Sequence, residues 1–112
     1  MKKQSKHRYH YTECGLDNVF LLNGFEYIDT PRGKNVHIND LEGLHRAIGE
    51  LLVTEKKTLD GKQFRYLRHE LNMTQQNLAA LLSVDVQSVG RWERGETDVP
   101  GPAQGTSSAA FL

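Results

Sequence analysis

The stretch Thr74–Gly95, TQQNLAALLSVDVQSVGRWERG, decides the fold because it holds two short helical patterns separated by only three residues. Apolar residues recur at helical spacing on both sides of the break, from Leu78 to Leu82 and from Val86 to Trp92. The break itself is Ser83-Val84-Asp85. A connection this short favours a steep crossing of the two helices over an antiparallel hairpin, so the stretch predicts a helix-turn-helix.

Each predicted helix of this region begins with the same kind of start signal. A side chain that accepts hydrogen bonds is followed three residues later by one that can return the bond, and apolar residues flank the pair. The three pairs are Asp60 with Gln63, Thr74 with Asn77, and Asp85 with Ser88. We predict helices over residues 61–71, 75–82 and 86–94, with Gly95 as the residue that stops the third.

These helices are too short to be stable alone in water, so they must pack against one another. The side chains expected in the shared core are Phe64, Leu67, Leu71, Leu78, Ala79, Leu82, Val89 and Trp92. The stretch GPAQGTSSAAFL after Pro100 shows no periodic apolar stripe. We expect residues 101–112 to form a flexible tail. Either the helix predicted upstream covers the core in its place, or the domain is incomplete, as a truncation or a shifted reading frame would leave it.

The upstream half reads as short strands followed by a helix. The run VFLL ends at Asn23-Gly24, a dipeptide typical of two-residue hairpin turns, and FEYID and NVHI lie on either side of the turn TPRGK. We predict a three-stranded antiparallel meander over residues 18–38. Asn39, three residues before Glu42, predicts a helix that ends near Val53. The fold class is therefore α+β, with a meander-plus-helix unit over residues 1–57 and a helix-turn-helix domain over residues 58–100.

Composition excludes several classes of protein. Fourteen basic side chains balance fourteen acidic ones among 112 residues, so no global charge draws the chain to nucleic acid or membrane, and local placement decides. Cys14 is the only cysteine, which excludes an intramolecular disulfide. The chain shows neither a secretory signal nor a window long enough to span a membrane, so we expect a cytoplasmic protein. Lys2, Lys3, Lys6 and Arg8 fit a solvated terminus or a basic arm that touches phosphate.

The segment LRHELNMTQQNLAALLSVDVQSVGRWERGETDVP resembles the helix-turn-helix of Cro/repressor-type (XRE) regulators of bacteria and phage. The matching residues are Leu67, Arg68, Thr74, Gln75, Leu78, Ala79, Leu82, Val84, Val89, Trp92, Glu93, Gly95 and Pro100. The resemblance implies a lambda-repressor-like, all-α domain that binds double-stranded DNA and places its third helix in the major groove.

The resemblance also implies a role for each position. The residues expected to contact bases are Val86, Gln87, Ser88, Gly90 and Arg91, and those expected to contact phosphate are Gln75, Arg94, Thr97 and Lys62. Arg68 and Glu93 are expected to form an internal ion pair, which fixes orientation more than it adds stability.

The chemistry of the outward residues agrees with these roles. Gln87 can bond N6 and N7 of adenine, Arg91 can bond O6 and N7 of guanine, and Val86 can contact a thymine methyl. Gly90 has no side chain and would let the helix approach the groove floor. On the residues alone, Gln87 and Ser88 also fit ordinary surface positions. Arg91 also fits an ion pair with Asp85 or Glu93.

The upstream half is similar to the N-terminal domain of antitoxins and regulators that bind zinc through paired CxxC motifs. This chain keeps YTECG with one cysteine, so the family's set of thiolates is absent. A structural zinc site needs four ligands, and Cys14 with His10 supplies two; His7, His37 and His45 are scattered. We predict no metal and no other cofactor.

These observations favour a sequence-specific transcriptional regulator with duplex DNA as its partner, binding an inverted repeat if it forms a homodimer. The alternative is an antitoxin-like protein whose N-terminal unit captures a toxin-like partner protein while DNA binding autoregulates the operon. An enzyme finds no support, because the sequence has no nucleophile elbow, phosphate-binding glycine loop or paired-carboxylate cleft.

Overall fold

The computed structural model describes residues 8–55 and 58–111, and within them the chain forms four strands and five helices. The strands are β1 (Tyr9–His10), β2 (Phe20–Leu21), β3 (Phe25–Thr30) and β4 (Gly33–Ile38); the helices are α1 (Leu41–Glu55), α2 (Gly61–Glu70), α3 (Gln75–Leu82), α4 (Val86–Glu93) and α5 (Gly101–Phe111). The predicted α+β class is confirmed. Lys2, Lys3, Lys6 and His7 lie outside the described residues, so the proposed basic arm stays a prediction.

The chain divides into two compact units, the first ending at Leu44 and the second beginning at His45. The sequence had placed this division between residues 57 and 58. It lies near the beginning of α1, and two contacts of His45 connect that helix to α2. Tyr66 on α2 donates a hydrogen bond to the carbonyl of His45 (2.9 Å), and the imidazole of His45 lies 3.1 Å from the carboxylate of Glu70.

The first unit contains two separate two-stranded antiparallel sheets, β1 with β2 and β3 with β4. The three-stranded meander with a hairpin turn at Asn23-Gly24 is therefore wrong in its connectivity. The strand Phe20–Leu21 pairs with Tyr9–His10, the His10 and Phe20 rings stack at 4.4 Å, and Leu21 is buried. Stacking with an upstream aromatic partner outweighs the local turn preference of Asn23-Gly24.

The second hairpin forms as its turn residues predict. Thr30 pairs with Gly33 across Pro31-Arg32, and the side chain of Thr30 donates to the Gly33 carbonyl (2.6 Å). Gly33 has a φ of +117°, a backbone conformation that residues other than glycine rarely adopt. Phe25, Tyr27, Val36 and Ile38 share one face of this hairpin, and Tyr27 remains 52% exposed.

Helix α1 begins one residue later than predicted. Asp40, not Asn39, supplies the cap, because its carboxylate accepts the amide of Gly43 at 3.0 Å. The amide of Asn39 donates instead to the carbonyl of Gly24 (2.9 Å), which ties that residue to the end of the hairpin. The helix continues to Glu55, two residues beyond the predicted end.

The start signals of the second unit produce the caps that they predict. Asp60 with Gln63 and Thr74 with Asn77 form complete capping boxes at α2 and α3. Asp85 accepts the amide of Ser88 at the start of α4. Gly95, with a φ of +79°, ends α4: its amide donates to Trp92, and that of Glu96 donates to Arg91. This pair of bonds is a Schellman motif.

The helices share one core, and α5 contributes to it. The buried cluster consists of Phe64, Leu78, Ala79, Val89, Trp92, Val99 and Ala103, with Met73, Leu82 and Val84 packed against it. The predicted flexible tail over residues 101–112 is therefore wrong, since residues 101–111 form a helix. Its buried residues, Ala103 and Ser107, are small and give no apolar stripe that sequence periodicity detects.

Candidate nucleic-acid interface

A buried polar network holds α4 against α2 and α3. Arg68 donates from Nε to Oε2 of Glu93 (2.6 Å) and from Nη2 to Oε1 (3.0 Å). Its Nη1 donates to the carbonyl of Met73, at the approach to α3 (3.0 Å). Gln75, the first residue of α3, donates from Nε2 to the same Glu93 Oε1 (3.0 Å). Three helices therefore meet at one carboxylate, which sets the angle of α4.

A close approach of backbones supports this arrangement. A Cβ added at Gly61 would lie 2.3 Å from the carbonyl oxygen of Trp92 and 2.8 Å from that of Glu93. Only glycine fits there. The start of α2 therefore abuts the end of α4, and the amide end of one helix dipole lies beside the carbonyl end of the other.

The N-terminal half of α4 presents its side chains outward. Val86 and Gln87 are exposed, while Ser88 and Arg91 are half-buried. Arg91 Nη2 approaches Ser88 Oγ at 3.4 Å, so Ser88 steadies the guanidinium one turn along the helix. Hydrogen bonds from Ser88 hold the pKa of Asp85 below its ordinary value, so the cap of α4 stays ionised.

Gly90 does not face outward as expected. It is buried, and a Cβ added there would lie 3.1 Å from Nη1 of Arg94 and 4.0 Å from Oε1 of Gln75. The absent side chain makes room for Arg94 and for the start of α3. A direct approach of Gly90 to a groove floor would require Arg94 to move away.

The expected phosphate contacts differ in their surroundings. Gln75 donates one hydrogen bond from its side-chain amide to Glu93, and its backbone amide, in the first turn of α3, is a further donor for an anion. Arg94 is exposed but pairs with Glu96 (2.7 Å). That hydrogen bond raises the pKa of Arg94 and lowers that of Glu96. Lys62 and Thr97 are exposed side chains.

Two basic side chains of α2 were not among the predicted site residues. Arg65 is half-exposed, with Nε 3.9 Å from Oε1 of Glu93. His69 is exposed, and its Nε2 lies 3.4 Å from Nη2 of Arg68. Their spacing along α2, with Arg68 between them, is the signal that would have placed all three near one face.

The described residues bring no group of three or more His, Cys, Asp and Glu side chains into a metal-binding arrangement. Cys14 is half-buried. Within the same residues, no helix is both long and apolar enough to cross a membrane.

Comparison with known proteins agrees with the geometry of the second unit. Residues 64–102, which include most of α2 and all of α3 and α4, match the model of a helix-turn-helix family. A domain of this family implies DNA binding. No curated protein and no solved structure matches the chain.

Proposed function

We propose that this chain is a sequence-specific transcriptional regulator that inserts α4 into the major groove of duplex DNA. The observation that carries the proposal is the Glu93 network, which fixes α4 while leaving Val86 and Gln87 exposed at its start. A helix that contacts bases in the major groove must be held in one orientation while its outward end stays exposed, and the network meets both conditions.

The outward side chains define the readout. Gln87 bonds adenine in a bidentate manner, Arg91 bonds guanine, and Val86 contacts a thymine methyl. Ser88 holds Arg91 across one helical turn and flanks the contacted bases. Gly90 acts indirectly, because it accommodates Arg94 and the start of α3.

Backbone contacts position the domain on the duplex without reading sequence. Gln75 offers the amide at the start of α3, where the helix dipole favours an anion. Arg94, Thr97 and Lys62 contact phosphate near the other end of α4. Arg94 exchanges Glu96 for phosphate when DNA docks.

The charge of the face explains why a neutral chain can bind DNA. Asp85 caps α4 and Glu93 is enclosed by Arg68 and Gln75, so Arg91 and Arg94 dominate the outward side. Few cations per copy give modest affinity. A homodimer that binds an inverted repeat in the bacterial cytoplasm then supplies the remaining affinity, because two copies contact the same duplex.

The test is a selection of bound duplexes from a random pool at low and high salt. We expect one enriched motif and steeply weaker binding at high salt. Arg91→Ala should cost ~1–3 kcal/mol of affinity and relax preference at a single base pair. Arg46→Ala, which removes an exposed arginine of α1, is the matched control and should leave the preference intact.

Two results would contradict the proposal. A pool that shows no enrichment at either salt concentration excludes sequence-specific binding. Equal weakening of Arg91→Ala on all sequences makes Arg91 a phosphate contact and not a base contact.

The exposed apolar surface of the first unit favours a second role. Phe20 is 45% exposed, Leu22 68%, Tyr27 52% and Ile28 45%. A small unit with this much apolar surface in water is typical of one that binds a partner protein. An antitoxin-like protein would capture its partner here and repress its own operon through α4.

Co-expression with the product of the neighbouring gene tests this second role. We expect a stable complex that Leu22→Ser with Ile28→Ser disrupts, while DNA binding by the second unit is retained. Separate elution of the two unaltered proteins would rule out that partner.

A further inference from the structure

An open cleft of about 580 Å³ lies beside the start of α4. Its lining includes Arg68 and His69 of α2, Thr74 and Gln75 at the start of α3, and Val86 at the start of α4. When Val86 contacts a base, the adjoining backbone of the same strand passes along this cleft. The cleft therefore adjoins Val86, and the occupant that fits the proposed function is a DNA phosphate.

His69 is the one titratable group of the cleft that can change charge near neutral pH. Arg68 Nη2 lies 3.4 Å from His69 Nε2, and because Arg68 has only donors to offer, this contact is a hydrogen bond when Nε2 of the imidazole carries no proton. The charged groups facing His69 are Arg65, Arg68 and Glu70 on α2 and Glu93 on α4. Glu93 is already satisfied by Arg68 and Gln75.

These surroundings keep the imidazole neutral in the unbound protein. Partial desolvation of the ring, with the nearby guanidiniums of Arg68 and Arg65, lowers the pKa of His69. A phosphate in the cleft reverses the balance, because its negative charge favours the imidazolium over the neutral ring. The site thus differs in proton affinity between its empty and its occupied state.

We propose that His69 contacts a DNA phosphate and takes up a proton as the duplex docks, so that the protein binds DNA more tightly as the pH falls. This inference rests on the proposed function. The sign follows from linkage: the bound state holds the proton to a higher pH than the unbound state. Affinity therefore rises as the pH falls between the two titrations. Uptake of one proton allows the affinity for DNA to change by at most about tenfold per pH unit.

The experiment measures the dissociation constant for a selected duplex near pH 7.5 and near pH 6.0, at one salt concentration, by fluorescence anisotropy. The unaltered protein should bind about three- to tenfold more tightly at the lower pH. His69→Gln keeps a neutral donor of similar size and should lose that difference while matching the unaltered protein near pH 7.5. His37→Gln removes an exposed histidine of β4 and should retain the full difference.

The outcomes separate this inference from the proposed function. Equal binding at both pH values by the unaltered protein overturns the role of His69 and leaves DNA binding in place. An undiminished pH difference in His69→Gln overturns it as well. Absence of binding at either pH overturns the proposed function and this inference together. A circular dichroism spectrum unchanged by His69→Gln excludes loss of folding as the cause of a lost difference.

Discussion

The two units of this chain differ in how completely they bury their apolar side chains. In the second unit, Phe64, Leu78 and Val89 are fully buried in a core that several helices share. In the first unit, the buried apolar side chains are Tyr11, Leu16 and Leu21, while Phe20, Leu22, Tyr27 and Ile28 remain exposed. A two-stranded sheet is marginal by itself in water. The comparison teaches that the second unit buries its apolar side chains within its own helices, whereas the first unit leaves several of them exposed, and that exposed surface is the one to which we assign the proposed second role.

The largest expected effect breaks the core of the second unit. Phe64 packs edge-on against Trp92 at 5.8 Å, and Phe64→Ala should cost about 3–5 kcal/mol of unfolding free energy because it leaves a cavity. Trp92 is the only tryptophan, so its fluorescence during urea unfolding reports on this unit. Ile28→Ala in the first unit should leave that transition within about 0.5 kcal/mol. Equal shifts in the two variants would show that the units share a core.

The next effect tests the close approach of α2 to α4. Gly61→Ala should destabilise the second unit by about 1–3 kcal/mol, because the added methyl meets the carbonyl oxygens of Trp92 and Glu93. Gly105→Ala on α5 is the matched control, since an added methyl there meets no atom within 4 Å. That control should be neutral or stabilising by up to about 1 kcal/mol through helix propensity. A neutral Gly61→Ala would mean that the two helices can separate at little cost.

A smaller change in stability is expected from a substitution in α5, and it tests whether this helix packs in the core. The hydroxyl of Ser107 is buried, 1% exposed, and has no hydrogen-bond partner among the described residues. Ser107→Ala should therefore stabilise the protein by about 1 kcal/mol in thermal unfolding. Ser108→Ala, on the half-buried neighbour, should change stability by less than about 0.5 kcal/mol. Identical results for both serines would place α5 outside the core.

The smallest effect concerns DNA binding. Glu96→Gln removes the exposed carboxylate that holds Arg94, so it should tighten binding to the selected duplex by about two- to threefold. Glu50→Gln on α1 removes the same charge from a distant helix and is the control. Anisotropy titrations at equal salt compare the two. An equal gain in both variants would attribute the change to net charge alone.

The sequence predicted α2, α3 and α4 well because their signals are local. Asp60, Thr74 and Asp85 each cap a helix within three residues of their own position, and Gly95 stops α4 through its backbone conformation. Strand pairing in the first unit is not local. Phe20 finds its partner at His10, ten positions away, and no turn signal encodes that choice. Helix α5 escaped prediction because it packs through small side chains.

Sequence reasoning named candidate side chains for the site but not the contacts that these side chains make. The pairing of Arg68 with Glu93 follows from the resemblance, and the structure contains it. A sequence pattern cannot show that Gln75 turns inward to Glu93, or that Arg94 covers Gly90, because both depend on how the helices cross. His69 escaped notice for the same reason, since its role depends on the cleft that α2, α3 and α4 form together.

The enclosure of Glu93 has a consequence for kinetics. Side chains from two other helices already hold α4 in one orientation. The conformational entropy of ordering α4 is therefore lost during folding, and DNA binding does not have to order the helix. The association rate constant should then be similar for duplexes of different sequence. Operators of different sequence should differ in the lifetime of the bound complex, which single-molecule dwell times record directly.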